Sequence, residues 1–125
     1  MRLYFDGGCK PNPGKMEVAV VSDDGTIKEH ARVHDGTNNE AEWLAFLWAC
    51  TIAIDKGLNA RPLSILGDSK LVISQAQGVW KVKQPSLAVF RDEFLKLQPE
   101  FKQLRLLHVL RDANPAGHYI EQVNG

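Results

Sequence analysis

The sequence predicts an α/β protein in which helices cover a mixed β-sheet, and three observations support this fold class. The chain begins with strand-like segments, continues with one long helical segment, and then alternates strand and helix to its end. Its 125 residues are 44% hydrophobic and 24% charged, which is the composition of an ordinary globular domain. The strand–helix–strand order after residue 63 predicts a right-handed parallel crossover. We therefore expect a single domain that spans residues 1–125.

The first 33 residues are typical of three strands in series, each antiparallel to the one before it. Residues 3–5 form a short apolar strand that we expect to end at the Asp-Gly-Gly of residues 6–8. A second strand covers residues 18–21, and the turn at 23–25 leads to a partly exposed third strand over 27–33.

The long helical segment begins with helix-capping residues. Thr37 precedes it, and Glu40, three residues later, completes a possible capping box. The helix should end near Gly57, and its apolar residues occupy several sides, which predicts cover on more than one face. Trp43 and Phe46 could form a partner surface, but the pattern favours buried core positions.

The second half of the chain alternates strand and helix. Residues 63–66 are short and wholly apolar, as expected for a strand buried inside a sheet, and they end in Gly-Asp-Ser. The segments that follow are predicted to be helices over residues 69–77 and 86–97, a strand over 104–110, and a short helix that opens at Asn114 and Pro115.

Composition excludes several classes of protein. No apolar run reaches about 18 residues, and Asp6 interrupts the amino terminus too early for a signal peptide, so we expect a cytoplasmic protein without membrane contact. Cys9 and Cys50 are too few for a disulfide scaffold or a four-thiolate zinc site, and buried or free thiols are expected. Because 15 basic residues balance 15 acidic ones, any polynucleotide must be held by local geometry and metal ions.

Two acidic residues, Asp6 and Asp68, each follow a predicted strand. Taken alone, each is usually a turn or helix-cap residue. At the carboxyl ends of neighbouring strands, however, the two could share a site, where a proton or a cation such as Mg²⁺ or Mn²⁺ would relieve their repulsion. A third acid could come from the long helix, but Glu40 and Glu42 lie about 200° apart on it, and periodicity does not choose between them.

Four short motifs carry a resemblance to a known family. In order and separation they resemble the successive signatures of ribonuclease HI domains: YFDGGC at residues 4–9, NPG at 12–14, TNNEAE at 37–42 and GDSKLV at 67–72. With GVWKVK at 78–83, the chain is similar to the compact bacterial and archaeal form that lacks a basic insertion.

The resemblance implies a fold, an activity and a site. The fold is the RNase H-like five-stranded mixed sheet, with the first three strands antiparallel and the last two parallel. The activity is metal-dependent hydrolysis of the RNA strand of RNA/DNA hybrids, which leaves 5′-phosphate and 3′-hydroxyl ends. Separately from the resemblance, we expect a monomer. By position, the resemblance implies that Asp6 would bridge two Mg²⁺ or Mn²⁺ ions, that Glu42 would hold the water-activating side, and that Asp68 would support the ion on the nucleophile side.

Nucleic-acid contacts are implied for a set of Asn, Lys and Trp side chains. Asn12, Asn38 and Asn39 are expected to approach the hybrid backbone or minor groove, although ordinary turn and cap chemistry would also explain them. Phosphate contact or stacking is implied for four further residues, which otherwise are solvated surface and one packed Trp: Lys70, Trp80, Lys81 and Lys83.

The segment after the last strand departs from the family pattern. In the compact forms it supplies a fourth metal-site Asp, and here His118 occupies that position. Our hypothesis is that His118 completes the site and shifts activity toward Mn²⁺. Two alternatives are a neutral surface histidine beside a three-acid site, or replacement of the carboxylate by Asp112 or Glu121. Glu121 is less attractive because it lies almost one helical turn beyond position 118.

Two other functions are compatible with the same residues. One is a nucleic-acid-binding module that has kept the fold and lost cleavage, a reading motivated by His118 and the neutral net charge. The other is a nuclease of the same superfamily that acts on DNA.

Overall fold

Five strands form one mixed sheet in the computed structural model, which describes residues Met1–Gly125. The strands are β1 (Arg2–Cys9), β2 (Gly14–Ser22), β3 (Lys28–Gly36), β4 (Pro62–Gly67) and β5 (Gln103–His108). The helices are α1 (Asn38–Asp55), α2 (Lys70–Ala76), α3 (Pro85–Leu97) and α4 (Pro115–Asn124). Short 3₁₀ turns lie at Leu58–Ala60, Gln98–Glu100 and Arg111–Ala113.

The sheet has the order β3-β2-β1-β4-β5. β2 pairs antiparallel with both β1 and β3, whereas β4 pairs parallel with β1 and with β5. The predicted fold class and strand directions are confirmed. β1 is the central strand, and the carboxyl ends of β1, β4 and β5 lie at one edge of the sheet.

The prediction that the first strand ends at Asp6 is wrong. β1 continues to Cys9, and Asp6 lies inside it, paired with Ala19 of β2. Gly7 marks a close approach between strand and helix, not a turn: a Cβ atom at Gly7 would lie 2.2 Å from the carbonyl oxygen of Ala41 in α1. β2 and β3 are also longer than predicted, and together with β1 they extend the sheet toward the start of α1.

The main core lies between the sheet and α1. Four aromatic residues, among them Trp43 and Phe46 of α1, form edge-to-face contacts with ring centroids 4.9–5.6 Å apart: Phe5, Trp43, Phe46 and Phe94. The indole N–H of Trp43 donates to the Gln75 side chain at 2.9 Å, so this buried polar atom has a partner. Trp43 and Phe46 are fully buried, as the helical pattern favoured.

A smaller cluster lies on the opposite face of the sheet, beneath α4. Alternate residues of a strand point to opposite faces, and in β2 Val18 and Val20 join the main core while Ala19 and Val21 pack with Ala116. The sheet therefore separates α1 from α4, and β1 contacts both helices.

Local signals at the helix ends agree with the sequence. The Thr37 hydroxyl accepts from the Glu40 N–H at 3.2 Å, and the Glu40 carboxylate accepts from the Thr37 N–H at 3.1 Å, so the predicted capping box is present.

Cys9 and Cys50 are buried, free thiols. No helix has both the length and the apolar character that crossing a membrane requires.

A candidate active site of three carboxylates

Asp6, Glu42 and Asp68 converge at the carboxyl edge of the parallel strands. Each offers a carboxylate oxygen, and these oxygens lie within 4.8 Å of one another. The sheet register brings two of them together, because Phe5 pairs with Gly67, and Asp6 and Asp68 are the next residues along the chain. The third carboxylate comes from the first turns of α1.

Glu42, not Glu40, is the helical acid at the site. A Glu42 carboxylate oxygen accepts a hydrogen bond from the backbone N–H of Gly7 at 2.9 Å. The close approach of β1 and α1 at Gly7 makes this contact possible, since a side chain there would collide with α1. Glu40 instead belongs to the capping box.

Asp68 is held by Asn114, a fully buried residue that precedes α4. The Asn114 amide nitrogen donates to the Asp68 carboxylate at 2.9 Å and to the Phe5 carbonyl at 2.9 Å. The Asn114 side-chain oxygen accepts from the backbone N–H of Ala116 at 3.1 Å and caps α4. One side chain therefore connects β1, the end of β4 and the start of α4.

The electrostatics of the cluster disfavour three ionised acids. Burial, together with the negative charge of Asp68, raises the pKa of Asp6 to about 7. Burial and the charges of Asp6 and Asp68 also raise the pKa of Glu42 well above its ordinary value. An all-oxygen, anionic and partly desolvated set of donors fits a hard divalent cation, which would offset the repulsion.

Arg111 is a site residue to which the sequence analysis gave no role. Its positive charge lowers the pKa of Asp6 and of Glu42, against the larger effects that raise them. Arg111 opens the 3₁₀ turn after β5, the strand next to β4. A signal for it was present, because residues that directly follow a parallel strand gather at the edge where Asp68 lies.

His118 does not join the carboxylates in this arrangement. Its side chain is exposed, and its Nε2 atom donates to the carbonyl oxygen of Asp112 at 2.8 Å. Gly117 is the α4 residue that faces the site, since a Cβ atom there would lie 3.3 Å from an Asp6 carboxylate oxygen. Successive helical residues differ by about 100°, so residue 118 points elsewhere. Asp112 and Glu121 also lie outside the cluster.

Asn12 and Asn38 hold each other beside the site. The Asn38 side-chain oxygen accepts from the Cys9 N–H at 2.9 Å, and the Asn12 side-chain oxygen accepts from the Asn38 N–H at 3.1 Å. Both amide oxygens are therefore engaged within the chain. Their NH₂ groups make no hydrogen bond to the protein and are available to an external acceptor.

A groove of about 580 Å³ runs between α1, α2 and the segment that leads into α3. Four residues named from the sequence line it: Asn39, Trp80, Lys81 and Lys83. Trp80 is 43% exposed, so it is not the packed residue that the alternative interpretation required. Lys70 is exposed on α2 but does not line the groove.

Comparisons with known proteins place this geometry in a family. The family model described as reverse transcriptase-like matches residues 4–120. The ribonuclease HI of Halobacterium salinarum is 35% identical over 118 residues, or 91% of this chain and 58% of that protein. The bifunctional protein Rv2228c of Mycobacterium tuberculosis is 32% identical over 117 residues, or 90% of this chain and 32% of that protein. The chain thus spans about half and one third of the lengths of these two relatives.

Solved structures agree with the sequence relatives. The crystal structure of RNase H1 from Halobacterium salinarum matches with a TM-score of 0.83 and 33% identity, over 92% of this chain and 89% of that one. LC11-RNase H1, isolated from compost and solved in complex with an RNA/DNA hybrid, matches with a TM-score of 0.86 and 27% identity, over 99% of both chains. On the strength of a match over nearly its whole length, the chain belongs to the reverse transcriptase-like family and resembles its ribonuclease HI members in sequence and fold.

Proposed function

We propose that this chain is a ribonuclease H, which hydrolyses the RNA strand of RNA/DNA hybrids with divalent metal ions and leaves 5′-phosphate and 3′-hydroxyl ends. The convergence of Asp6, Glu42 and Asp68 within 4.8 Å carries the proposal. Two relatives support it: a ribonuclease HI that is 35% identical, and an RNase H1 of the same fold that was solved with an RNA/DNA hybrid.

The three carboxylates are the residues that would hold Mg²⁺ or Mn²⁺, in a site for two ions. Bound there, the metal supplies Lewis-acid chemistry that polarises a phosphodiester and activates water. The chain's own contribution is to keep three oxygen donors close together and partly desolvated. The Gly7 N–H fixes Glu42, and Asn114 fixes Asp68, so both arrive at the cluster already oriented.

Arg111 is the cation of the chain that stands beside the scissile phosphate in this proposal. It is exposed and acts electrostatically on both Asp6 and Glu42. A guanidinium pairs well with phosphate oxygens in a bidentate manner. Arg111 would therefore draw a phosphodiester toward the carboxylates while it offsets part of their charge.

Selection of RNA over DNA is assigned to the free amide donors of Asn12 and Asn38. Since their oxygens are engaged within the chain, the N–H groups are the part of each amide that is left to bind an approaching strand. These groups can donate to a ribose 2′-hydroxyl, the group that distinguishes RNA from DNA. The lysines and Trp80 of the adjoining groove would hold backbone phosphates and stack on a sugar or base of the hybrid.

The test is cleavage of a hybrid with a labelled RNA strand by purified protein in Mg²⁺ or Mn²⁺. Glu42→Gln should reduce the rate more than about 100-fold, because loss of a metal ligand exceeds the 10–100-fold effects of groups that merely orient ligands. Glu40→Gln is the matched control: it lies two residues away on α1, and glutamine preserves the capping box, so the rate should not change.

Three outcomes would contradict the proposal. Hybrid that is bound but intact under all metal conditions would indicate a binding module. Preferential cleavage of duplex DNA would indicate a nuclease that acts on DNA. Equal rates for the Glu42→Gln and Glu40→Gln proteins would show that the carboxylate cluster is not the active site.

A further inference from the structure

Asn114 differs from the other polar residues around the carboxylates because it is fully buried and uses all of its amide groups. Its nitrogen has two N–H bonds, one directed to Asp68 and the other to the Phe5 carbonyl, while its oxygen accepts from α4. Its oxygen therefore faces the helix and its nitrogen faces the carboxylate. Asn114 contacts Asp68 as a donor and does not offer a ligand atom to the cluster.

Within the chain, the Asp68 side chain makes one hydrogen bond, and its donor is Asn114. Asp68 follows the last residue of β4 and lies ahead of α2, so it is outside the regular elements on either side. An aspartate side chain there has several staggered conformations available to it. The bond from Asn114 selects the conformation in which the carboxylate points at Asp6 and Glu42.

The second N–H of Asn114 connects this conformation of Asp68 to the central strand, β1. The Phe5 carbonyl belongs to the residue directly before Asp6. One rigid amide group thus bridges the backbone beside Asp6 and the carboxylate of Asp68, at 2.9 Å on each side. The amide therefore ties the Asp68 carboxylate to the backbone position from which Asp6 follows.

We infer that Asn114 is a positioning residue, which sets the spacing between the Asp6 and Asp68 carboxylates and thereby the affinity of the cluster for a divalent cation. The inference rests on the proposed function only in requiring that the carboxylates hold a cation. Other side chains cannot reproduce the arrangement. An aspartate would aim an oxygen at two other oxygens, and a serine would cap α4 but could not reach both acceptors.

The test measures Mn²⁺ affinity by calorimetric titration and thermal stability in EDTA. Asn114→Ser keeps a good helix N-cap and removes both donors, and it should weaken Mn²⁺ binding about 10–100-fold. Asn124→Ala is the matched control, since it loosens the other end of α4 by removing contacts to Glu17 and Arg32. It should lower the melting temperature while Mn²⁺ affinity stays within about twofold of the unchanged protein.

Unchanged Mn²⁺ affinity in Asn114→Ser would overturn the inference, as would an equal loss in Asn124→Ala or an absence of Mn²⁺ binding by the unchanged protein. If Asn114→Ser shows no cooperative unfolding transition, Asn114→Gly removes the same donors with a residue that helix N-caps tolerate. A protein that binds Mn²⁺ as described but never cleaves a hybrid would refute the proposed function and leave this inference standing.

Discussion

At the scale of single residues, the carboxylate cluster disfavours the ionised form of Asp6. Burial and the neighbouring Asp68 raise its pKa from 3.8 to about 7. A carboxyl whose folded pKa is raised stabilises the fold below its unfolded pKa. That stability is lost as the pH rises through the folded value, here between about pH 4 and pH 7. The contribution of Asp6 to the stability of the metal-free protein should therefore be smaller at pH 8 than at pH 4.

Asp6→Asn should stabilise the protein when no metal is present, because the amide keeps the shape and removes the ionisation. In EDTA at pH 8 we expect the melting temperature to rise by at least about 4 °C, which corresponds to roughly 1 kcal/mol for a domain of this size. Calorimetric scans between pH 4 and pH 8 would measure it. A melting temperature equal to that of the Glu40→Gln control at pH 8 would contradict the expectation.

His118→Ala tests a residue that the family pattern assigns to the metal site but whose side chain lies outside the carboxylate cluster. Its side chain is exposed and bonded to the Asp112 carbonyl, so its loss should change hybrid cleavage by less than about threefold in either Mg²⁺ or Mn²⁺. Initial rates in the two metals give the answer. A loss greater than about tenfold that is confined to Mn²⁺ would instead restore His118 as a metal ligand and support the original hypothesis.

At the scale of elements, the contact between β1 and α1 at Gly7 holds Glu42 in the site. Gly7→Ala would push a Cβ atom to 2.2 Å from the Ala41 carbonyl, and neither backbone can yield without moving the strand or the helix. We expect a loss of about 2 kcal/mol or more in the free energy of unfolding, measured with urea. Gly8→Ala is the control, because its nearest atom would be an Asn38 side-chain oxygen at 3.6 Å. Equal losses in the two variants would show that the close approach is not limiting.

The distinction between the two glycines explains what the sequence could predict. The capping box and the strand at residues 18–21 are local patterns, and both were predicted from neighbouring residues. Gly7 and Gly8 have the composition of a turn, yet their role depends on α1, which follows more than 30 residues later. The prediction from local composition therefore ended β1 too early.

Local sequence patterns also could not identify Glu42 as the helical acid or decide whether His118 is a fourth metal ligand. Helical periodicity could not choose between Glu40 and Glu42, because the choice is made by the Gly7 N–H, 35 residues from Glu42. Family resemblance supplied that choice. It also placed His118 at the site by position, whereas the rotation of α4 turns Gly117 toward Asp6. Alignment fixes a position along a helix, but packing decides which residue of that helix faces its neighbour.

α4 is also held at its far end, by a polar cluster of Glu17, His30, Arg32 and Asn124. Partial burial by itself would raise the pKa of Glu17, but hydrogen bonds from Asn124 and His30, with the charges of His30 and Arg32, outweigh it and lower the pKa below 4.5. A carboxyl with a lowered folded pKa stabilises the fold above its unfolded pKa, and this contribution is lost as the pH falls through the folded value.

Glu17→Gln should therefore destabilise the protein by about 1 kcal/mol at pH 7 and by less at pH 3, because the contribution of a carboxyl with a lowered folded pKa decreases as the pH falls. Urea denaturation at the two pH values measures the difference. Glu29→Gln is a suitable control, because it removes the same charge from an exposed position on β3. A pH-independent effect of Glu17→Gln would mean that shape, not charge, accounts for the contact.

At the scale of the whole molecule, the charge balance limits how the chain can hold a polyanion. Because 15 basic residues balance 15 acidic ones, the proposed attraction to phosphate would have to come from a local set of cations near the site and groove: Lys70, Lys81, Lys83 and Arg111. Each phosphate contact adds about 0.9 to the slope of log affinity against log salt. Four contacts give a slope no steeper than about −4, which is shallow for a nucleic-acid-binding protein.

Replacing Lys81 or Lys83 by Gln should lower the magnitude of that slope by about one unit each, since each change removes one phosphate contact. Fluorescence anisotropy with a labelled hybrid, Ca²⁺ and the Asp68→Asn background would measure binding without cleavage. Lys102→Gln removes the same charge from an exposed residue directly before β5, at the end of that strand away from the carboxylates, and should leave the slope unchanged. If Lys102→Gln flattened the slope as much as Lys81→Gln, total charge would govern binding, and the groove would have no special part in holding the hybrid.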